Sequence, residues 1–172
     1  MAHRCLLLPD ARFSGITAIS SEYLRSHGIR ALVLDIDNTL ALHDDPALPP
    51  DIAAWLAARK AEGILLAVSS NNAEERVAPF ARRIGVQWVS KAHKPAPEGC
   101  RRAQALFGVP KQQMALIGDQ LFTDILGARL FGIRALLVRP LAPDHIWYIR
   151  LKRVLEKPLL WYYEKKGGPF YE

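Results

Sequence analysis

Short apolar runs alternate with stretches of helical periodicity along most of the chain. Ala31–Leu34, Ile64–Val68, Val86–Val89, Met114–Ile117 and Ala135–Val138 are apolar at nearly every position. Side chains alternate across a strand, so such runs place apolar groups on both faces, as a parallel strand buried between two helical layers requires. The intervening residues 51–62, 72–84, 97–107 and 123–131 read as helices, with Asp51 the expected N-cap of the first. Gly63, Gly85, Gly108 and Gly132 stand just past their ends, where a left-handed residue stops a helix. Strand–helix–strand units in this series predict an α/β fold: a mostly parallel five-stranded sheet flanked by helices. Residues 10–28 are expected to form a leading helix. Residues 143–172 are expected to form a basic-aromatic helical extension interrupted at Pro158. No stretch rich in Gly or Ser divides the chain, so residues 1–172 read as one domain.

Composition narrows the class without naming a function. With 172 residues and 50% hydrophobic content, the chain has enough apolar material for a core of its own. Collagen, coiled coil, disulfide scaffold and disorder are excluded. Two cysteines, Cys5 and Cys100, fit a reducing compartment, and a cytoplasmic location is the expectation. The apolar run Leu6–Leu8 stops at Pro9-Asp10, and no run approaches the ~20 residues of a membrane span. The net charge of +6 is unevenly spread. Residues 82–102 hold six Lys and Arg against Glu98 alone, which predicts an anion-attracting rim beside Lys94. Neither a stacked-aromatic motif nor a basic recognition helix is visible, which argues against nucleic acid.

The chemistry lies in the polar residues that follow the apolar runs, because ligands of an open parallel sheet bind beyond the carboxyl ends of its strands. The first run leads into Asp35-Ile36-Asp37-Asn38-Thr39 and the second into Ser69-Ser70-Asn71-Asn72. The third leads into Lys91-Ala92-His93-Lys94-Pro95 and the fourth into Gly118-Asp119-Gln120-Leu121-Phe122-Thr123-Asp124. One crevice would thus receive four carboxylates, a hydroxyl with an adjacent amide, and a lysine. Clustered carboxylates repel one another unless a cation joins them, and Mg²⁺ is the hard divalent ion that suits oxygen ligands. An ion and a lysine can hold a phosphoryl group. One carboxylate can then attack phosphorus, and a second, two residues on and on the same side of an extended segment, can protonate the leaving oxygen. His93 and Gln120 read as local loop residues.

Asp35-Ile36-Asp37-Asn38-Thr39-Leu40 resembles the first motif of the haloacid dehalogenase superfamily. Ser70-Asn71, Lys94-Pro95 and Gly118-Asp119 through Asp124 are similar to its second, third and fourth. The order and the separations of 35, 24 and 25 residues agree with that family, over roughly residues 10–140. Ser70-Asn71-Asn72-Ala73-Glu74-Glu75-Arg76-Val77 also fixes Ser70 rather than Ser69 in the second motif. With the fourth motif, it resembles the YqeG branch of the subclass IIIA phosphatases, related to the mitochondrial phosphatidylglycerophosphate phosphatase. The resemblance implies that Asp35 is nucleophile and Mg²⁺ ligand. It implies that Asp37 is general acid/base and a metal ligand through its carbonyl. Ser70, Asn71 and Lys94 are then phosphate-binding, and Asp119 and Asp124 belong to the metal site.

The implied reaction is Mg²⁺-dependent phosphomonoester hydrolysis through an aspartyl-phosphate. The branch implies phosphatidylglycerophosphate as substrate and a phospholipid headgroup as partner. A soluble sugar phosphate, a nucleotide or a phosphoprotein is the alternative substrate, and a non-catalytic phospho-acceptor the alternative role. The gaps between motifs are too short for a cap domain, which implies an open site or a cap lent by a second subunit of an oligomer. The tail carries two readings. In one, Trp147, Tyr148, Trp161, Tyr162 and Tyr163 anchor it peripherally in a membrane surface, with Arg150, Lys152, Arg153 and Lys157 on lipid phosphates. In the other, favoured because residues 144–172 sum to only +2, it packs on the sheet.

Overall fold

The computed structural model describes residues 5–144 and 146–172. Residues 1–4 and His145, which fall within the expected single domain and tail, lie outside the described residues. Seven strands, β1 (Ala11–Phe13), β2 (Ala31–Leu34), β3 (Leu65–Ser69), β4 (Gln87–Val89), β5 (Met114–Gly118), β6 (Arg134–Val138) and β7 (Phe170–Tyr171), form one sheet in the order β4-β3-β2-β5-β6-β1-β7. Every pairing in it is parallel. The helices are α1 (Ser21–Ser26), α2 (Pro50–Ala61), α3 (Glu74–Ile84), α4 (Glu98–Phe107), α5 (Leu126–Phe131) and α6 (Trp147–Lys165).

The apolar runs account for the layering. Along β2, Leu32 and Leu34 join a core with Ile52, Trp55 and Leu56 of α2 and Val77 and Phe80 of α3. Ala31 and Val33 point the other way, into a core with Cys100, Ala103 and Phe107 of α4 and Ala128 and Phe131 of α5. Alternation therefore feeds two helical layers from one continuous apolar run. Successive strands β2, β3 and β4 proceed toward one edge, whereas β5 and β6 proceed toward the other. The direction changes between β2 and β5, and a cleft opens at such a switch point.

Four expectations need correction. The sheet has seven strands rather than five, and residues 10–28 do not form a single helix. They hold β1, a 3₁₀ turn at Ile16–Ala18, and the short α1 capped by the Ser20 hydroxyl, which accepts from the Tyr23 amide at 3.0 Å. A three-residue strand offers too few positions for a periodicity of two to register, and β1 owes its stability to neighbours distant in sequence. It pairs with β6 and β7, and Phe13 packs against Tyr23 and Tyr171 with ring centroids 5.0 Å apart in each case. Asp51 is not the N-cap of α2. Pro49 takes that place and Pro50 opens the helix, where its missing N–H matters least. Pro158 lies inside α6 and does not interrupt it. The predicted stops at Gly63, Gly85, Gly108 and Gly132 all have positive φ.

Candidate active site

The loops after β2, β3, β4 and β5 converge on one cavity at the carboxyl edge of the sheet. Asp35, Asp37, Ser70, Asn71, Asn72, Lys94, Gln120 and Thr123 line it. Asp35 ends the buried run of β2, and its amide donates to Ile117 of β5 at 2.9 Å, which ties the first loop to the strand before the fourth. Asp35, Asp119 and Asp124 are all buried, and one oxygen from each lies within 4.8 Å of the others.

Lys94 bridges this cluster. Its ammonium donates to Asp35 Oδ1 and, at 2.7 Å, to Asp124 Oδ1. Burial pushes the Lys94 pKa down, but the carboxylates of Asp124 and Asp35 outweigh it and hold the lysine charged. Asp35 moves well above the usual carboxylate range, chiefly through burial; Lys94 opposes the rise, and Asp124 and Asp119 add to it. Asp119 is pushed up to about 7 for the same main reason, against the pull of the Arg153 guanidinium. Three carboxylates against Lys94 and Arg153, a guanidinium shared with Asp144 and Glu156, leave the acid cluster short of positive charge. Asp119 Oδ1 is also buried without a hydrogen-bond partner among the described residues. An orphaned carboxylate oxygen inside an under-neutralised oxygen cluster fits a hard divalent cation.

Asp124 reaches the cluster because the chain widens into a π-type turn at Leu121–Ile125 ahead of α5. Its side chain crosses directly over Gly118, where a Cβ would come within 2.4 Å of the Asp124 Cγ. The glycine that ends β5 is therefore what makes room for a carboxylate six residues on. Lys91 and His93, with φ of 46° and 54°, hold left-handed backbone in the loop that delivers Lys94.

Asp37 is set apart from the triad of acids. It accepts from Asn72 Nδ2 at 2.7 Å and Arg76 Nη2 at 2.5 Å, and His43 Nδ1 lies 3.3 Å away. Its carboxylate thus lines the cavity without joining the cluster of three. Ser70 rather than Ser69 lines the cavity, and its Oγ accepts from the Asn72 amide at 3.2 Å. The Asn71 side chain is engaged with the backbone of Lys94, accepting from its N–H at 2.6 Å and donating to its carbonyl at 3.1 Å. Asn71 thereby holds the lysine loop in place.

Several residues in the site were not expected from sequence. Asn72 and Arg76 hold Asp37, and Arg76 lies one helical turn beyond Asn72, a spacing that could have drawn attention to it. His43, Tyr148, Ile149 and Lys152 line the cavity, and Gln120 is part of its wall rather than only a local loop residue. The expected basic rim is corrected. Of the six Lys and Arg in residues 82–102, only Lys94 lines the cavity. Arg82 lies over Trp88, Arg83 donates to the Pro46 carbonyl, Arg101 pairs with Glu98, and Arg102 donates to the Ser90 carbonyl at 2.8 Å.

The tail divides its predicted contacts between two faces. Arg153, read as a lipid-phosphate contact in one reading, instead points inward to Asp119 and Asp144, and Tyr163 is buried. Leu159 and Leu160 pack on the core beside α4 and α5. Trp147, Tyr148, Trp161 and Tyr162 remain exposed. Among the described residues, no helix is long and apolar enough to cross a membrane.

A family model described as Mitochondrial PGP phosphatase matches residues 1–141. The Bacillus subtilis (strain 168) protein named "Probable phosphatase YqeG" is 34% identical over 160 residues, 93% of each chain. Phosphatidylglycerophosphate phosphatase 1, chloroplastic, of Chlamydomonas reinhardtii is 29% identical over 148 residues, 81% of this chain and 55% of that one. The fold is shared with 4-nitrophenylphosphatase from Thermotoga maritima, with a TM-score of 0.59 and 15% identity over 69% of this chain and 89% of that chain. It is also shared with the cobalt-bound form of the deoxy-D-mannose-octulosonate 8-phosphate phosphatase from Haemophilus influenzae. There the TM-score is 0.53 and the identity 17%, over 73% of this chain and 75% of that chain. The chain belongs to the mitochondrial PGP phosphatase family, with the YqeG phosphatases among its relatives, and is a phosphoric monoester hydrolase.

Proposed function

We propose that the protein uses Mg²⁺ to hydrolyse a phosphomonoester carried at a lipid surface, namely the phosphate of phosphatidylglycerophosphate. The observation that carries the chemistry is the buried meeting of Asp35, Asp119 and Asp124 around Lys94, with Asp119 Oδ1 unpartnered among the described residues. Asp35, Asp119 and Asp124, with the Asp37 carbonyl, would hold the ion. When bound, it supplies positive charge to the carboxylates and to the phosphoryl oxygens.

The residues divide the reaction as follows. Lys94, with Ser70 beside it, orients the phosphoryl group and neutralises its charge. A carboxylate oxygen of Asp35 attacks phosphorus, forming an Asp35 O–P bond as the ester P–O bond breaks. Asp37 gives its proton to the departing alkoxide. The same carboxylate then takes a proton from water, the water oxygen attacks phosphorus, and the Asp35 O–P bond breaks to release inorganic phosphate. Asn72 and Arg76 hold Asp37 at the cavity wall for both transfers. Asn71 acts on the backbone that carries Lys94.

The lipid part of the reading rests on α6 and on the family. The outward face of α6 exposes Trp147, Leu151, Val154 and Leu155, each at least 54% accessible. Arg150 and Lys157 flank that face, and the first acid of the helix, Glu156, is buried. Tyr148 and Lys152 continue the surface into the cavity. An apolar and basic face that runs into an open site suits peripheral contact with an anionic bilayer.

The test compares phosphate release from phosphatidylglycerophosphate in vesicles with release from soluble sugar phosphates, nucleotides and phosphoserine, with Mg²⁺ and with EDTA. Mg²⁺-dependent turnover favouring the vesicle substrate is the expected result. Turnover of soluble phosphates with none from vesicles sinks the lipid reading, and full activity in EDTA sinks the metal reading.

A further inference from the structure

The inward face of α6 bears on the metal site itself. Arg153 and Glu156 lie one turn apart and point the same way, toward the loop after β5. Arg153 spreads its guanidinium over four acceptors. Nε donates to Asp144 Oδ2 at 2.8 Å, and Nη1 donates to the Asp119 carbonyl and, at 3.2 Å, to Glu156 Oε2. Nη2 donates to Asp119 Oδ2. Glu156 Oε1 in turn accepts from the Leu121 amide at 2.7 Å. Asp144 Oδ1 accepts from Asn38 Nδ2 at 2.9 Å, which links the same network to the loop that carries Asp37. Asp119 is therefore gripped at its carbonyl and at one carboxylate oxygen. The other oxygen, Oδ1, is buried and has no hydrogen-bond partner among the described residues.

We infer that Arg153 is a positioning residue for the metal site, fixing the Asp119 carboxylate so that Oδ1 is the oxygen presented to the cation. The inference rests on the reading of Asp35, Asp119 and Asp124 as a Mg²⁺ site. A planar guanidinium that binds both the carboxylate and the carbonyl of one residue fixes its rotation, which a point-charge lysine does less well. Outer partners that orient metal-binding groups typically matter by about 10–100-fold in affinity. Charge alone argues the opposite way, because a guanidinium near the site repels a cation. The sign of the effect therefore separates the two possibilities. If Arg153 merely fills the place of a cation, its removal tightens Mg²⁺ binding; if it orients Asp119, its removal weakens binding.

The experiment is titration calorimetry of Mg²⁺ alone into the metal-stripped full chain, comparing wild type with Arg153→Met, Arg153→Lys and Leu160→Ala. Leu160 packs the same helix onto the core without touching the acid network. The expected result is Mg²⁺ affinity about tenfold weaker in Arg153→Met, partly restored in Arg153→Lys, and unchanged in Leu160→Ala. Equal or tighter binding in Arg153→Met overturns the inference while leaving the metal reading intact, as does an equal loss in Leu160→Ala. Absence of Mg²⁺ binding by the wild type overturns both. Should Arg153→Met not fold, Arg153→Lys decides alone: a weakening of a few-fold supports positioning, and wild-type affinity overturns it.

Discussion

The loops at the ends of β2, β3, β4 and β5 and the helix α6 meet at one cavity, yet they are built on opposite terms. The reacting side chains of the loops are buried and held by one another at the ends of neighbouring strands. Asp35 follows directly on a buried strand, Lys94 is locked by Asn71, and Asp124 sits over Gly118 with no room to spare. Helix α6 is largely exposed, and it reaches the acids through the inward side chains Arg153 and Glu156. Fixed geometry suits the groups that exchange protons and bonds, since small misplacements there cost most. A helix on the rim can meet a changing exterior while one of its faces still reaches the acids. The lesson is that chemistry and access are assigned to different parts of the chain and joined by a few ion pairs.

The sharpest way to break this division is to remove the nucleophile proposed in the loops. Asp35→Asn keeps the shape and removes the attacking oxygen anion. Turnover of a soluble chromogenic phosphate should fall on the order of 10³-fold or more, and Asp37→Asn should fall heavily as well. Full activity in Asp35→Asn would leave the loops without their assigned role. Gly118→Ala is the next largest. The added methyl would have to displace the Asp124 carboxylate, whose Cγ lies 2.4 Å from the ideal Cβ. Overpacking of this kind costs about 1–3 kcal/mol, and with Asp124 displaced, Mg²⁺-dependent activity should drop even where the protein stays folded. Thermal unfolding and Mg²⁺ titration of activity check the two parts separately. A Gly118→Ala protein with wild-type stability and activity would show that the close crossing matters for neither.

The contrast also explains what the sequence made readable. The motif residues were legible because each follows its own strand and its chemistry is apparent from type and spacing. The two helical layers were legible because alternation within the five apolar runs needs no knowledge of partners. β1 and β7 were not, since two or three residues carry no period and both depend on pairing between the two ends of the chain. The inward place of Arg153, which one of the two readings of the tail assigned to lipid phosphate, was hidden for a related reason. In sequence Arg153 is one basic residue among Arg150, Lys152 and Lys157, and only the rotation of α6 against the loop after β5 separates it from them. The basic run at residues 82–102 failed in the same manner. Charge counted along the chain says nothing about direction, and Arg83 and Arg102 turn toward carbonyl oxygens outside the cavity.

On the α6 side, the exposed face should respond where the loops do not. Leu151→Glu replaces an outward apolar group that does not line the cavity. Burying a leucine side chain contributes about 1.5–3 kcal/mol, so co-sedimentation with anionic vesicles should weaken by about tenfold or more. Activity on a soluble phosphate should stay at the wild-type level. Loss of both activities would mean that α6 cannot be separated from the catalytic loops. Unchanged vesicle binding would remove the lipid role of this face, and a shift in oligomeric state would assign it to a second copy of the chain.

The smallest effect concerns a residue that sits close to the acids yet takes no part. Cys100 lies on the inner side of α4, buried in the core beneath the lysine loop. Burial pushes its thiol up to about 12, with Lys94 pulling the other way. A thiol that stays protonated and enclosed at neutral pH is a poor nucleophile. Cys5 is exposed. Brief treatment of the folded protein with a maleimide should therefore label Cys5 alone, read by peptide mass, and leave phosphatase activity unchanged. Cys100 should become reactive only on unfolding. Labelling of Cys100 in the folded protein would mean that α4 opens from the sheet. The lysine loop would then be less rigid than its contacts with Asn71 imply, and the distinction between fixed loops and adaptable helix would lose its basis.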